Sequence, residues 1–167
     1  MKAKKLALLA LFTAIALTIY VIEAQIPIPI PLPGVKLGLS NIVTVFTVFA
    51  FGPAEGAMVL ACRIFLGAVF AGNFSSILYS AAGGACAIVI TVLLRRVLRR
   101  REIWVAGVLG AAAHNFGQVA VAAALLGSGG VWAYLPILCA IGMVCGLFTG
   151  VCAQLLVNRG EKLWKIT

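Results

Sequence analysis

Leu6–Ala24 reads LALLALFTAIALTIYVIEA and runs directly into Gln25–Gly34, QIPIPIPLPG. The first stretch carries a single charge, Glu23, near its end. An apolar run of about 18 residues or more with so little charge reads as a transmembrane helix. The second stretch cannot continue that helix. Pro27, Pro29, Pro31 and Pro33 each lack an N–H and push the preceding residue out of helical backbone angles. The result is a stiff, extended loop with its prolines on one side and Ile26, Ile28, Ile30 and Leu32 on the other. A basic start followed by an apolar run also fits a signal peptide. This run is long for that role and no small-x-small cleavage site closes it, so it reads as an uncleaved first span.

Composition extends the conclusion to the whole chain. Of 167 residues 63% are hydrophobic and 10% charged, and the mean hydropathy is +1.16. Soluble domains carry about 25% charged residues, so there is too little polar surface here to cover a water-soluble globule. The length suits one compact helical bundle, a single membrane domain over residues 1–167. The net charge of +9 does not indicate nucleic acid, because of where the charges lie. All but Lys36 and Arg63 of the 13 positive residues fall at Lys2, Lys4 and Lys5, at Arg95, Arg96, Arg99, Arg100 and Arg101, and at Arg159, Lys162 and Lys165, which are the ends and one gap between apolar runs. Such clusters anchor topology with the basic side in the cytoplasm, and contact with anionic lipid headgroups follows. The five cysteines, Cys62, Cys86, Cys139, Cys145 and Cys152, sit in apolar runs without a CxxC spacing and read as small packing residues.

Further runs cover 37–51, 57–71, 77–94, 103–126 and 131–157, punctuated by Gly52-Pro53, Gly72-Asn73, the arginine cluster and Gly127-Ser-Gly-Gly. The second and third are about 15 residues each, roughly 22 Å of helix, short of a hydrocarbon core of about 30 Å. They read as short spans or as a re-entrant hairpin, and the parity of crossings is the same either way. With 6–24 as the first, six spans place all three basic clusters and both termini in the cytoplasm and the loop 25–35 outside.

Polar groups at membrane depth are costly and mark function by default. Under this topology most of them fall in the outer half. Ser40 and Asn41 lie near the outer end of the second span; His114, Asn115 and Gln118 lie in the fifth, with His114 and Gln118 on one face. Glu23, Gln25 and Lys36 mark the outer rims of the first two spans, and Asn73, Ser75, Ser76 and Tyr79 mark the rim between the third and fourth. The pattern fits a pocket opening outward; interhelical hydrogen bonding is the competing reading for His114, Asn115 and Gln118. Arg63, midway along the third span, fits a pocket cation or a structural anchor paired with Glu55 or with backbone carbonyls. Ala3, Ala7, Ala10 and Ala14 form a stripe of small residues that admits close approach of another helix, in this chain or a partner.

Some chemistry is excluded. The chain has no aspartate, and its only acids are Glu23, Glu55, Glu102 and Glu161, which leaves no carboxylate pair for acid–base catalysis or magnesium-diphosphate binding. No GxxxxGK[ST] loop is present to hold nucleotide phosphates, and a single histidine makes no metal cluster. No catalytic residues, metal or cofactor are expected.

Three blocks carry a family resemblance: Ile28–Ile42 (IPIPLPGVKLGLSNI), Leu78–Gly84 (LYSAAGG) and Gly110–Gln118 (GAAAHNFGQ). Together they resemble the Gx transporter family, often labelled heptaprenyl diphosphate synthase component I, over nearly the whole chain. That family resembles the S components of energy-coupling factor (ECF) transporters. The resemblance implies an all-α, six-helix protein of a bacterial-type plasma membrane that captures a vitamin-like molecule or cofactor precursor from outside. It implies docking on a transmembrane scaffold subunit carried by a cytoplasmic ATPase pair. Ala10 and Ala14, extended by Ala3 and Ala7, match its docking stripe, and the loop with Pro27, Pro29, Pro31 and Pro33 resembles its gate. Lys36, Asn41, Asn73, Tyr79, His114 and Gln118 are the expected substrate contacts. The enzyme label conflicts with the missing aspartates, which prenyl elongation needs. An accessory subunit of heptaprenyl diphosphate or quinone synthesis is the alternative function, and a purely structural bundle partner a third.

Overall fold

A computed structural model describes residues 3–26, 36–71 and 75–164. Among these residues six α-helices follow in order: α1 (Ala3–Glu23), α2 (Asn41–Ala50), α3 (Pro53–Ala71), α4 (Ser75–Arg95), α5 (Ile103–Leu126) and α6 (Leu135–Trp164). A 3₁₀ segment, Gly129–Tyr134, precedes α6. No strand occurs among the described residues. All the helices except α2 are long and apolar enough to cross a membrane.

Among the boundaries that differ from the hydropathy reading, the starts of α3 and α6 each have a local reason. The third run begins at Pro53 rather than at residue 57. Proline at the first helical position loses no intrahelical hydrogen bond and has its φ preset, and Glu55 in that first turn faces the positive end of the helix dipole. The added turn makes α3 about 28 Å long, long and apolar enough to cross a membrane. The sixth run does not start as one helix at Val131. A 3₁₀ turn comes first, and α6 opens at Leu135 with Pro136 in its first turn, where the missing N–H costs nothing.

The second run is the opposite case. Its helix is 10 residues, Asn41–Ala50, about 15 Å. It packs against every other α-helix, and Val43 to Val48 are all buried. A helix that is apolar all round is a buried helix. Because its flanks meet protein rather than lipid, α2 is freed from matching the bilayer thickness.

Contacts at both ends fix the directions of the helices. Lys5 Nζ pairs with Glu55 Oε1 at 2.5 Å, and Tyr20 lies against Gly67, so α1 and α3 run parallel. The chain between them therefore returns along the bundle through α2. Glycines bring later neighbours together antiparallel. The Gly142, Gly146, Gly150 ladder on α6 meets α5 so closely that a Cβ at Gly107 would lie 2.3 Å from the Gly146 carbonyl oxygen. Such contact between small residues lets helices associate in lipid, where no hydrophobic force drives them together.

Two apolar cores result. One joins Leu9, Phe12, Val45, Phe46, Ile103 and Val157. The Phe12 ring stacks edge-on to Phe46, with centroids 5.2 Å apart. The other joins Tyr79, Val119, Ala122, Val131 and Leu138. Lys5, Glu55 and the Arg95 guanidinium beside Gly52 gather at one end of the bundle. The last residues of α1 and the first of α2 lie toward the other.

Candidate functional site

At that second end a polar cluster forms around Gly38. Tyr20 and Glu23 are three residues apart on the inner face of α1, and both are buried. Sequence position places Glu23 at a solvated rim; in the fold its residue exposure is only 2%. Its carboxylate accepts N–H bonds from Gly38 at 2.5 Å and Ser40 at 3.4 Å. Ser40 caps α2 by position but makes no side-chain cap bond, so α1 supplies the capping acid from outside. A carboxylate at a helix N-terminus satisfies orphan N–H groups and meets the positive end of the dipole.

The Gly38 backbone has φ 81°, the left-handed region that favours glycine. It also needs the missing side chain. A Cβ there would lie 3.0 Å from Asn41 Nδ2 and 3.3 Å from His114 Cδ2. Gly83 of α4 lies on the other side of the same imidazole. His114 is thus held between two glycines, one in the segment before α2 and one in α4.

Lys36 ties this segment a second time to α5 and α1. Its backbone N–H donates to Gln118 Oε1 at 3.2 Å, and its ammonium lies 3.5 Å from the Tyr20 ring centroid, a cation–π contact. Arg63, from the middle of α3, is 2% exposed and its Cζ lies 5.4 Å from the same ring. It stands within Coulombic range of Glu23 and of His114. It does not pair with Glu55, which is taken by Lys5. That removes one of the two structural readings of Arg63.

Of the residues expected to bind substrate, the fold brings Lys36, Asn41, His114 and Gln118 together. Tyr79 is buried in the apolar core with Val119 and Leu138 instead. Asn73 lies outside the described residues, as do Pro27, Pro29, Pro31 and Pro33. Asn115 turns toward α6 and donates from Nδ2 to the Leu138 carbonyl at 2.6 Å, an interhelical tie. Glu23, read from the sequence as an outer-rim group, and Arg63, read as a pocket cation or a structural anchor, join the cluster together with Tyr20, which the sequence did not single out. One signal was present: a lone acid and a lone arginine, each inside an apolar run. The alanine stripe lies wholly within the described part of α1. Ala3, Ala7, Ala10 and Ala14 are all exposed, and Ala10 and Ala14 line an apolar groove shared with Met58, Cys62 and Leu66 of α3.

The cluster offers charge, hydrogen bonds and an aromatic face. Among its described members Glu23 is the single carboxylate, and backbone N–H groups hold both its oxygens. No group of three metal-ligating side chains forms among the described residues.

No curated protein and no solved structure matches the chain. One family model does, covering residues 12–156. A membrane-type bundle with these blocks in place therefore belongs to the family described as heptaprenyl diphosphate synthase component I.

Proposed function

We propose that this chain is the substrate-binding membrane subunit of an ECF-type uptake transporter for a small vitamin-like or cofactor-precursor molecule. One observation carries the reading: polar groups from α1, α2 and α5 converge on the irregular segment 36–40, at the N-terminus of a short buried helix, and Arg63 of α3 faces the same Tyr20 ring as Lys36. Irregular backbone at membrane depth is tolerated where it is buried in protein or lines a cavity. Short or broken helices whose N-termini face a bound group are a recurrent device in transporters.

The basic end of the bundle is placed in the cytoplasm by the positive-inside rule. All six helices then cross, α2 as a short crossing shielded by its neighbours, and both termini are inside. The parallel run of α1 and α3 supports this count. Substrate enters from outside, is covered by 25–35, and meets Lys36, Asn41, His114 and Gln118, with Asn73 completing the set from the segment between α3 and α4; Tyr79, seated in the apolar core, is left out of the contact set. The exposed alanine stripe on α1 meets the transmembrane scaffold subunit, and a cytoplasmic ATPase pair supplies the energy this chain has no phosphate loop to capture. In this reading the chain performs no catalysis and resides in the plasma membrane.

The family description favours a second reading, an accessory subunit of heptaprenyl diphosphate or quinone synthesis. Affinity purification of the tagged full chain from its own membranes separates the two. The transporter reading expects one multi-span scaffold protein and two ATPases, lost when Ala10 and Ala14 are both changed to Leu. Recovery of a soluble, aspartate-rich synthase in their place overturns it.

A further inference from the structure

Arg63 carries a feature that the cluster around Gly38 does not use. Its Nε and Nη2 are both buried and have no hydrogen-bond partner among the described residues. These two nitrogens lie on one edge of the guanidinium, with parallel N–H bonds, which is the fork that grips two oxygens at once. The obvious internal acceptors are committed elsewhere. Glu55 holds Lys5, and the Glu23 oxygens accept from Gly38 and Ser40. In the same cluster Asn41, whose amide lies with His114 against Gly38, is also buried with its Nδ2 and Oδ1 unpartnered among the described residues. Buried donors of a charged group are costly to leave unpaired, so the edge suits a partner from outside the chain. The local charge agrees. Lys36 and Arg63 face one carboxylate, Glu23, leaving a single positive charge.

We propose that Arg63 is a ligand-binding residue whose Nε–H and Nη2–H edge takes the two oxygens of an oxyanion, a carboxylate or a phosphate, on a small solute entering from outside. Asn41 supplies a donor and an acceptor to the uncharged part of the same molecule. This rests on reading the Gly38 cluster as a substrate pocket, and it names that substrate as an anion.

The test uses the full chain in phosphatidylcholine nanodiscs, with the arginine Nε–H resonances followed by NMR. Probes are benzoate, its uncharged isostere benzamide, and inorganic phosphate; R63K and R63Q are compared with the wild type. The expected result is that benzoate or phosphate moves the Arg63 signal and benzamide does not. R63K, which keeps the charge but loses the fork, binds the effective anion at least tenfold more weakly, and R63Q does not bind it. Equal responses to benzoate and benzamide overturn the proposal, as does no response to either anion. A signal that moves only when phosphatidylglycerol replaces part of the phosphatidylcholine assigns the edge to a lipid headgroup and also overturns it. The wild-type comparison of probes decides the matter even where a variant fails to fold. An anion response without co-purifying scaffold and ATPases leaves this proposal standing and removes the transporter reading. Co-purification without an anion response removes only the role of Arg63.

Discussion

Glu23, the last residue of α1, and Gly38, three residues before α2, are joined by an N–H to carboxylate bond of 2.5 Å. The bond links two elements separated in sequence by the proline loop, and it carries charge as well as geometry. Glu23 offsets the buried Arg63 while it caps α2. Glu23→Ala removes both functions and leaves a buried cation uncompensated, a loss of roughly 3–5 kcal/mol. Glu23→Gln keeps an acceptor oxygen and loses the charge, a smaller loss of about 1–3 kcal/mol. Thermal unfolding in detergent, read by loss of the monomer peak on size exclusion, should rank wild type above E23Q and E23Q above E23A. Equal stability of all three contradicts the capping role.

Gly38→Ala tests the left-handed turn. The substitution costs about 1–2 kcal/mol in backbone conformation alone, and its Cβ presses on Asn41 and His114. Ligand retention should fall further than stability does, because the two side chains displaced are both in the site. A Gly38→Ala protein that melts lower and still retains ligand at the wild-type level would show that Gly38 shapes the fold only.

The α5–α6 contact predicts a contrast between two glycines. A Cβ at Gly107 meets backbone atoms of Gly146 and Gly150, at 2.3 and 2.5 Å, and backbone cannot move aside as a side chain tip can. Gly107→Ala should lower stability by about 1–3 kcal/mol or prevent assembly. Gly129→Ala meets nothing within 4 Å and should leave the melting temperature unchanged.

Lys5 and Glu55 form the ion pair that ties the starts of α1 and α3, with side chains 34% and 16% exposed. Partial exposure makes such a pair weak, and Lys5→Gln should cost less than about 1 kcal/mol. Raising the salt concentration should shrink even that difference. A large loss in the unfolding assay would mean that the α1–α3 contact depends on this pair rather than on its apolar groove.

Hydropathy located the long helices because a lipid-facing helix must be apolar over about 20 residues, and Leu6–Ala24 and Ile103–Leu126 meet that demand openly. For Leu37–Phe51 it left a short span or a re-entrant hairpin open, because α2 is surrounded by helices and its length and apolar content no longer report a crossing. The start of α3 was hidden by Pro53 and Glu55, which belong to a helix terminus rather than to its apolar body. Within the site, His114 and Gln118 were legible as polar residues on one helix face. Glu23 was not, since its burial comes from the segment 36–40 folding over it, a contact that no local pattern encodes. Asn115 and Gln118 look alike in sequence, yet the first turns to the Leu138 carbonyl and the second to the Lys36 N–H. Three residues apart on one helix, their side chains leave it about 60° apart, which is enough to reach different neighbours.

The capture reading meets its most direct test in native mass spectrometry of the full chain purified in mild detergent. The wild type is expected to retain a small organic molecule that is released on activation, and the double variant His114→Ala, Gln118→Leu is expected to appear as the bare chain mass. A wild-type spectrum showing only the bare chain, from preparations that remain folded and monodisperse, would contradict substrate capture and leave His114 and Gln118 as ties between helices.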